Sequence, residues 1–305
     1  MHTRLNQSTF IITGANGMLG NSFAEVLSNE YPNAIVYSYD RIDLDVTNEE
    51  ETERLQELQP DIILHCAAIT NADHCETNPN SSKKVFEDGT KNIANLANKC
   101  GAKIFYPQSF LIFSGGNDEI NENTVPNPLS VYGKHKLLAE SIILDSGVES
   151  LIVRMGGFFG GDQRDKNFVG KFTRHLASLI AEGKNRYAVG SRVWQPTYTV
   201  DLARNTLLLL ENERNGIWSM ACEDLASFYD VADACIKILG LEDKFEITKA
   251  DSKEINLQDV AKRPDVAIIS NARLHSSGQC VQRNWREALE EYLRRPWFSE
   301  LLKRE

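Results

Sequence analysis

The chain has 305 residues, 33 Lys+Arg against 43 Asp+Glu, and a formal net charge of −10. That length exceeds what one hydrophobic core usually fills, so a large lobe with an appendage is expected, and the acidic balance leaves no basic stripe for nucleic acid or an anionic membrane. Cys66, Cys75, Cys100, Cys222, Cys235 and Cys280 form no Cys-x-x-Cys pair, "MHTRLNQSTF" has no apolar signal core and no apolar run is long enough to span a bilayer. These features predict reduced thiols and a cytoplasmic location.

In chain order, short apolar runs alternate with longer amphipathic ones. Strands are predicted at 9–13, 33–39, 61–67, 102–109, 150–155 and 216–221, with helices at 18–30, 47–58, 80–99, 130–146 and 198–211 between them. Near-continuous apolar strands separated by crossover helices define an α/β fold with a doubly wound parallel sheet covered on both faces. After Gly160 the rhythm loosens into an amphipathic segment 167–182, a helix 225–239, a strand near 244–248 and a closing helix 284–296. The expected division is a dinucleotide-binding lobe, 1–160 with 191–221 returning to it, and a smaller substrate lobe from 161–190 and 222–305.

The first strand runs into "GANGMLG", with Gly14, Gly17 and Gly20 spaced by three. Glycines there allow a tight turn, close backbone approach to a pyrophosphate and close helix packing, and the free N–H groups of the helix start attract the anion. Asn16, Met18 and Leu19 belong to the same candidate cofactor turn. The spacing departs from Gly-x-Gly-x-x-Gly, and its position after the first strand carries the assignment. At the end of the second strand, Asp40 is placed to bind a ribose hydroxyl, with Asp45 and Val46 near the adenine. Arg41 is equally placed to hold a 2′-phosphate, which leaves NADH and NADPH both open. A solvated charged loop is the alternative for these side chains.

Tyr132 and Lys136 lie four residues apart in "SVYGKHKLLAE" and share one face of a predicted helix. An exposed helix pair often has this spacing. A buried ammonium beside a phenol would instead stabilise the phenolate, making the tyrosine a usable proton donor at neutral pH. The strand 102–109 delivers Ser109 to the carboxyl edge of the sheet, where such folds bind ligands.

With these residues in order, the chain resembles the extended short-chain dehydrogenases/reductases, and within them the dTDP-4-dehydrorhamnose reductase family. The likeness rests on "GANGMLG", "LDVTN", "PDIILHCAAITNADHCE", "FLIFSGG", "PLSVYGKHKLLAE", "KNFVGKF", "PTYTVDLA", "KRP" and "NWREAL". It implies a Rossmann-type lobe binding NADPH or NADH, a sugar-nucleotide lobe, and Ser109, Tyr132 and Lys136 as the catalytic set. It also implies Ala67, Ala68, Tyr132 and Lys136 at the cofactor, and Thr70, Asn71, Ser109, Phe110 and Asn167 at the substrate. The implied partner is a nucleotide-sugar substrate; the assembly is left open, with a homodimer as one option, and the charge balance argues against nucleic acid and membrane.

Four departures stand out. Gln108-Ser109-Phe110 replaces the usual Ser-Thr-Asp, Phe86 replaces a common asparagine, "VGSRVWQPT" replaces an Asp-Gln-x-Gly pattern, and "RMGGFFGG" replaces a bulkier run. They point to a different sugar nucleotide or to weakened catalysis. Arg192 is placed either to pair with a diphosphate or to lie in solvent, and Trp194 either to stack on a sugar or base or to fill core. His65, Cys66, His74 and Cys75 fit no zinc spacing, so no metal is expected. Ser109 lacks a nucleophile elbow, and Phe110-Leu111 excludes the acidic pair of a 4,6-dehydratase. Two alternatives to the reductase remain: a regulatory cofactor- or sugar-nucleotide-binding subunit, as the regulatory subunit of methionine adenosyltransferase resembles these enzymes, and an epimerase with tightly held NAD.

Overall fold

A computed structural model describes residues 4–250 and 260–303. The remaining positions, of which 251–259 and 304–305 fall in the expected smaller lobe, lie outside the described residues. Six parallel strands form the central sheet: β1 (Thr9–Thr13), β2 (Ile35–Tyr39), β3 (Ile62–His65), β4 (Lys103–Ser109), β5 (Ser150–Met155) and β6 (Gly216–Met220). Their spatial order is β2-β1-β3-β4-β5-β6, the doubly wound order in which the chain reverses direction beside β1.

Alternation along each strand explains why both faces are covered. Phe10, Ile12, Leu64, Phe105 and Val153 enter one core, while Ile11, Ile63, Ile104, Tyr106 and Ile152 enter the other. The first face is closed by α1 (Met18–Glu30), which packs on α6 (Thr199–Glu211); on the second, α3 (Pro79–Cys100) packs on α4 (Val131–Asp145). Between them in sequence, α2 (Glu49–Arg54) and α5 (Phe168–Ala181) complete the set. The edge strand β2 is the least buried of the six, as an edge allows.

Local chemistry sets the boundaries. Pro79 starts α3, where its missing N–H is not needed, and Gly101 ends it in the left-handed region at φ 67°. Ser130 caps α4 by accepting from the Gly133 N–H at 3.1 Å. The segment predicted as one helix over 47–58 tightens into a 3₁₀ turn at Leu55–Leu58. The helix predicted over 284–296 stops at Leu293 as α8 (Trp285–Leu293), because Arg295 before Pro296 is extended at ψ 145°, and a new turn Pro296–Leu301 begins. The helix predicted at 225–239 is α7 (Phe228–Ile238), opened by a reciprocal Ser227–Asp230 capping box.

Beyond β5 the chain makes short pairings. Strand Arg186–Val189 runs parallel to Glu246–Lys249, and Val193–Trp194 antiparallel to Ala226–Ser227. Ile268–Ile269 pairs with Glu119–Ile120, beside the sheet, so the late chain is tied back to the early one. No helix among the described residues is long and apolar enough to cross a membrane, and all six cysteines are free.

Candidate active site

The turn after β1 is built on one backbone requirement. Gly14 sits at φ +67°, and a Cβ there would lie 2.8 Å from the Ala67 backbone, where the chain leaving β3 passes. Thr13, Ala67 and His65 lock that crossing: the Thr13 hydroxyl accepts from Ala67 N–H at 3.2 Å and meets His65 Nδ1 at 2.9 Å. Helix α1 then starts at Gly17 with no side-chain cap. Its first N–H groups, at Met18, Leu19 and Gly20, therefore face the cavity with the positive end of the helix dipole behind them.

At the far end of this groove Asp40 is half-buried and held by its own loop. Its carboxylate accepts from Ile42 N–H at 2.6 Å, Asp43 N–H at 3.3 Å and the Asn16 amide. These bonds, the Ile42 one foremost, hold it below the usual carboxylate range. Both oxygens are thus engaged within the protein, and Arg41 lines the groove beside them.

The other end is more deeply buried. β4 carries Ser109 to the sheet edge, where its hydroxyl accepts from Leu111 N–H at 3.2 Å. Helix α4 comes in so closely that a Cβ on Gly133 would stand 2.2 Å from Leu111 O, which brings Tyr132 over the strand end. Tyr132 is 8 % exposed and Lys136 3 %. Gln108, where an acid-bearing run was expected, ties the two elements together: its amide donates to Lys136 O and to Glu140, both at 2.9 Å, and accepts from Ser109 N–H at 2.9 Å. Beneath it, Glu140 and Arg154 form a buried ion pair at 2.6 Å.

The electrostatics depart from the sequence expectation. Burial pushes the Tyr132 phenol above its ordinary value, and only the Ser109 hydrogen bond pulls it back. The Lys136 ammonium, predicted against that phenol, instead donates to Pro107 O and lies 3.9 Å from the Tyr106 ring centroid. Its own pKa is lowered to about 7 by burial, which the Glu140 carboxylate partly offsets. Desolvation outweighs pairing at this amine. Phe86 packs edge-on to Tyr132 at 5.9 Å, in apolar contact where a polar side chain was expected.

One cavity of roughly 520 Å³ joins both ends. Of the predicted residues, Gly14, Asn16, Gly17, Met18, Leu19, Gly20, Asp40, Arg41, Ala68, Thr70, Ser109, Phe110, Tyr132, Lys136 and Asn167 line it. The others have work elsewhere. Val46 presses its side chain against Gly89, Asp45 accepts from Thr47 N–H at 2.9 Å, and Asn71 caps the helix Ala72–Thr77. Ala67 contributes backbone behind the turn, and Arg192 joins the fold through its carbonyl, which accepts from Phe228 N–H at 3.0 Å. Trp194 is core: its ring meets Phe228 at 5.5 Å, and it occupies the space a side chain at Gly157 would need, 2.6 Å away. That exchange explains why glycine follows β5. Sequence reasoning missed Cys66, Gln108, Gly156, Arg164 and Lys166 in the wall. The two cations had a signal, being charged residues just past the Gly160–Gly161 turn.

A dinucleotide fits this wall on three counts: the uncapped start of α1, the Asp40–Arg41 end, and room reaching to Tyr132 and Lys136. Fold and site together define an extended short-chain dehydrogenase/reductase, an NAD(P)-dependent oxidoreductase. Residues 8–296 match the family described as RmlD substrate binding domain, and the chain belongs to that family. A dTDP-4-dehydrorhamnose reductase from Clostridium acetobutylicum is 30 % identical, superposes with a TM-score of 0.83 and shares 93 % of this chain and 98 % of its own. The Bacillus anthracis dTDP-4-dehydrorhamnose reductase in complex with NADP is 25 % identical, with a TM-score of 0.84 over 94 % and 99 %. Methionine adenosyltransferase 2 subunit beta of Bos taurus is 25 % identical over 93 % of this chain and 86 % of its own.

Proposed function

We propose that the chain reduces a nucleotide-linked 4-keto-6-deoxy sugar with NADPH or NADH, in the cytoplasm. The observation that carries this reading is the opening of Ser109, Tyr132 and Lys136 onto the same cavity as the glycine turn. The reading divides the chain into a dinucleotide lobe, 1–160 with 191–221, and a smaller sugar-nucleotide lobe. Gly14, Gly17 and the first turn of α1 would hold the pyrophosphate, and Asp40 with Arg41 the adenosine ribose. Thr70, Phe110 and Asn167 would face the sugar.

When bound, the reduced nicotinamide supplies a hydride to the carbonyl carbon. Ser109 and Tyr132 hydrogen-bond the carbonyl oxygen, and the Tyr132 O–H delivers the proton that the nascent alkoxide needs. Lys136, kept charged, opposes the burial that makes this phenol a poor acid. Mixing the protein with reduced cofactor and a panel of 4-keto sugar nucleotides, and following absorbance at 340 nm, tests the reading. Turnover of at least one substrate is expected; cofactor binding with no oxidation by any of them would reject it.

A second reading, a sugar-nucleotide- or cofactor-binding subunit with little turnover, is favoured by the apolar Phe86 against Tyr132. Under it, Tyr132→Phe would leave the behaviour of a co-purifying partner enzyme unchanged.

A further inference from the structure

We propose that the aromatic face of Tyr106 is a positioning element that seats Lys136 and keeps it protonated inside the buried site. The proposal rests on the reading of Lys136 as the amine that serves the Tyr132 proton donor. Lys136 Nζ lies 3.9 Å from the Tyr106 ring centroid and 5.9 Å from that of Phe86, and its hydrogen bond runs to the Pro107 carbonyl. A desolvated ammonium over a ring face is stabilised by the ring quadrupole, and more so when water is excluded.

Tyr106 offers its ring and not its hydroxyl. The side chain is 2 % exposed, and among the described residues its Oη has no hydrogen-bond partner. No protein group among the described residues uses that hydroxyl, so phenylalanine would keep the ring and lose no protein partner. What position 106 does supply is a flat, electron-rich surface under the amine. Register makes this possible: Tyr106 lies on the α3–α4 face of β4, one residue before the carbonyl that Lys136 binds.

The other groups near the amine leave that role open. On α4, Glu140 is committed to Arg154 at 2.6 Å, and Tyr132 is a neutral phenol. From the end of β3, His65 is pushed down to about 3 and the Cys66 thiol up to about 12 by burial, so both stay uncharged near neutrality. From α3 the nearby ring is Phe86. No carboxylate pairs directly with Lys136 among the described residues; besides the Pro107 carbonyl and the Glu140 charge already shared with Arg154, the group that meets the amine is the Tyr106 π face.

The test is a carbon-13 NMR titration of the lysine Cε signals of the whole protein, with Lys136→Met assigning the resonance. Tyr106→Phe should leave the Lys136 titration in place. Tyr106→Met should lower it by about one pH unit, a tenfold loss of proton affinity. A series of increasingly fluorinated phenylalanines at position 106, which drains the ring face at nearly constant volume, should lower it stepwise. The basic limb of the kcat/KM profile should move with it. An unmoved titration in the fluorinated series, or an equal shift in Tyr106→Phe, overturns the proposal. Because the titration needs no turnover, failure of the reductase reading in the 340 nm assay is separable from failure of this one.

Discussion

The two ends of the cavity use charge in opposite ways. At the β2 end, Arg41 stands in solvent and Asp40 is only half-buried, so that its carboxylate, held by two backbone N–H groups and the Asn16 amide, loses little if they go. At the β4 end, Lys136, Glu140 and Arg154 are each less than 5 % exposed, and every one depends on a particular partner. The same residue types are interchangeable at one end and structural at the other. Burial sets the difference.

The largest effect that would sharpen this contrast is on stability at the buried end. Glu140→Ala strands the Arg154 guanidinium without its carboxylate and frees the Gln108 amide, so unfolding in urea should show a loss of about 3–5 kcal/mol. Truncating both partners to apolar residues of similar volume should recover much of it. A loss under 1 kcal/mol would mean that the pair is hydrated and that the two ends are alike.

Next is catalysis. Tyr132→Phe keeps the ring packed on Phe86 and removes only the O–H proposed to deliver the proton, so kcat should fall by about 10²- to 10⁴-fold. Dinucleotide affinity, measured by fluorescence titration, should stay within a factor of about three, since the glycine turn lies at the other end. Equal losses in both would show that the ends are not separable.

Lys136 gives a smaller effect whose sign follows from linkage. Its folded pKa of about 7 lies below the unfolded value near 10.4, so between those limits the unfolded chain binds more protons. Stability then rises with pH across that window. Relative to Lys136→Met, the wild-type protein should gain stability from pH 7 to pH 10 and hold a constant difference below pH 6. A flat difference across the window would place Lys136 in contact with water, as Asp40 is.

The legibility of the sequence follows the same division. β1 at 9–13, β5 at 150–155 and α1 at 18–30 were readable to the residue because burial imposes an unbroken apolar run or a 3.6-residue period on a local stretch. The glycine turn was readable because its constraint is local too. Gln108, Glu140 and Arg154 were not, since three polar residues on separate elements reveal a partnership only when the fold brings them together. Tyr106 carries no local signal beyond its place in the predicted strand 102–109. Trp194 against Gly157 shows the limit from the other side: two positions 37 apart in sequence exchange volume, and neither position alone says which fills the gap.

The smallest expected effect probes the exposed end, where an acidic residue at the close of β2 invites assignment as the ribose ligand. Asp40 already accepts from Ile42, Asp43 and Asn16, so a ribose diol would share its oxygens with the loop, while the exposed Arg41 beside it could meet a 2′-phosphate. Asp40→Asn should change stability by less than about 0.5 kcal/mol, as surface substitutions do. It should shift the ratio of NADPH to NADH affinity toward NADPH by a few fold, because it removes a negative charge near the phosphate position at little structural cost. Isothermal titration with both cofactors reads that ratio directly. A shift toward NADH, or a stability loss comparable to that of Glu140→Ala, would show that this carboxylate is held as tightly as its buried counterpart and would erase the contrast between the two ends.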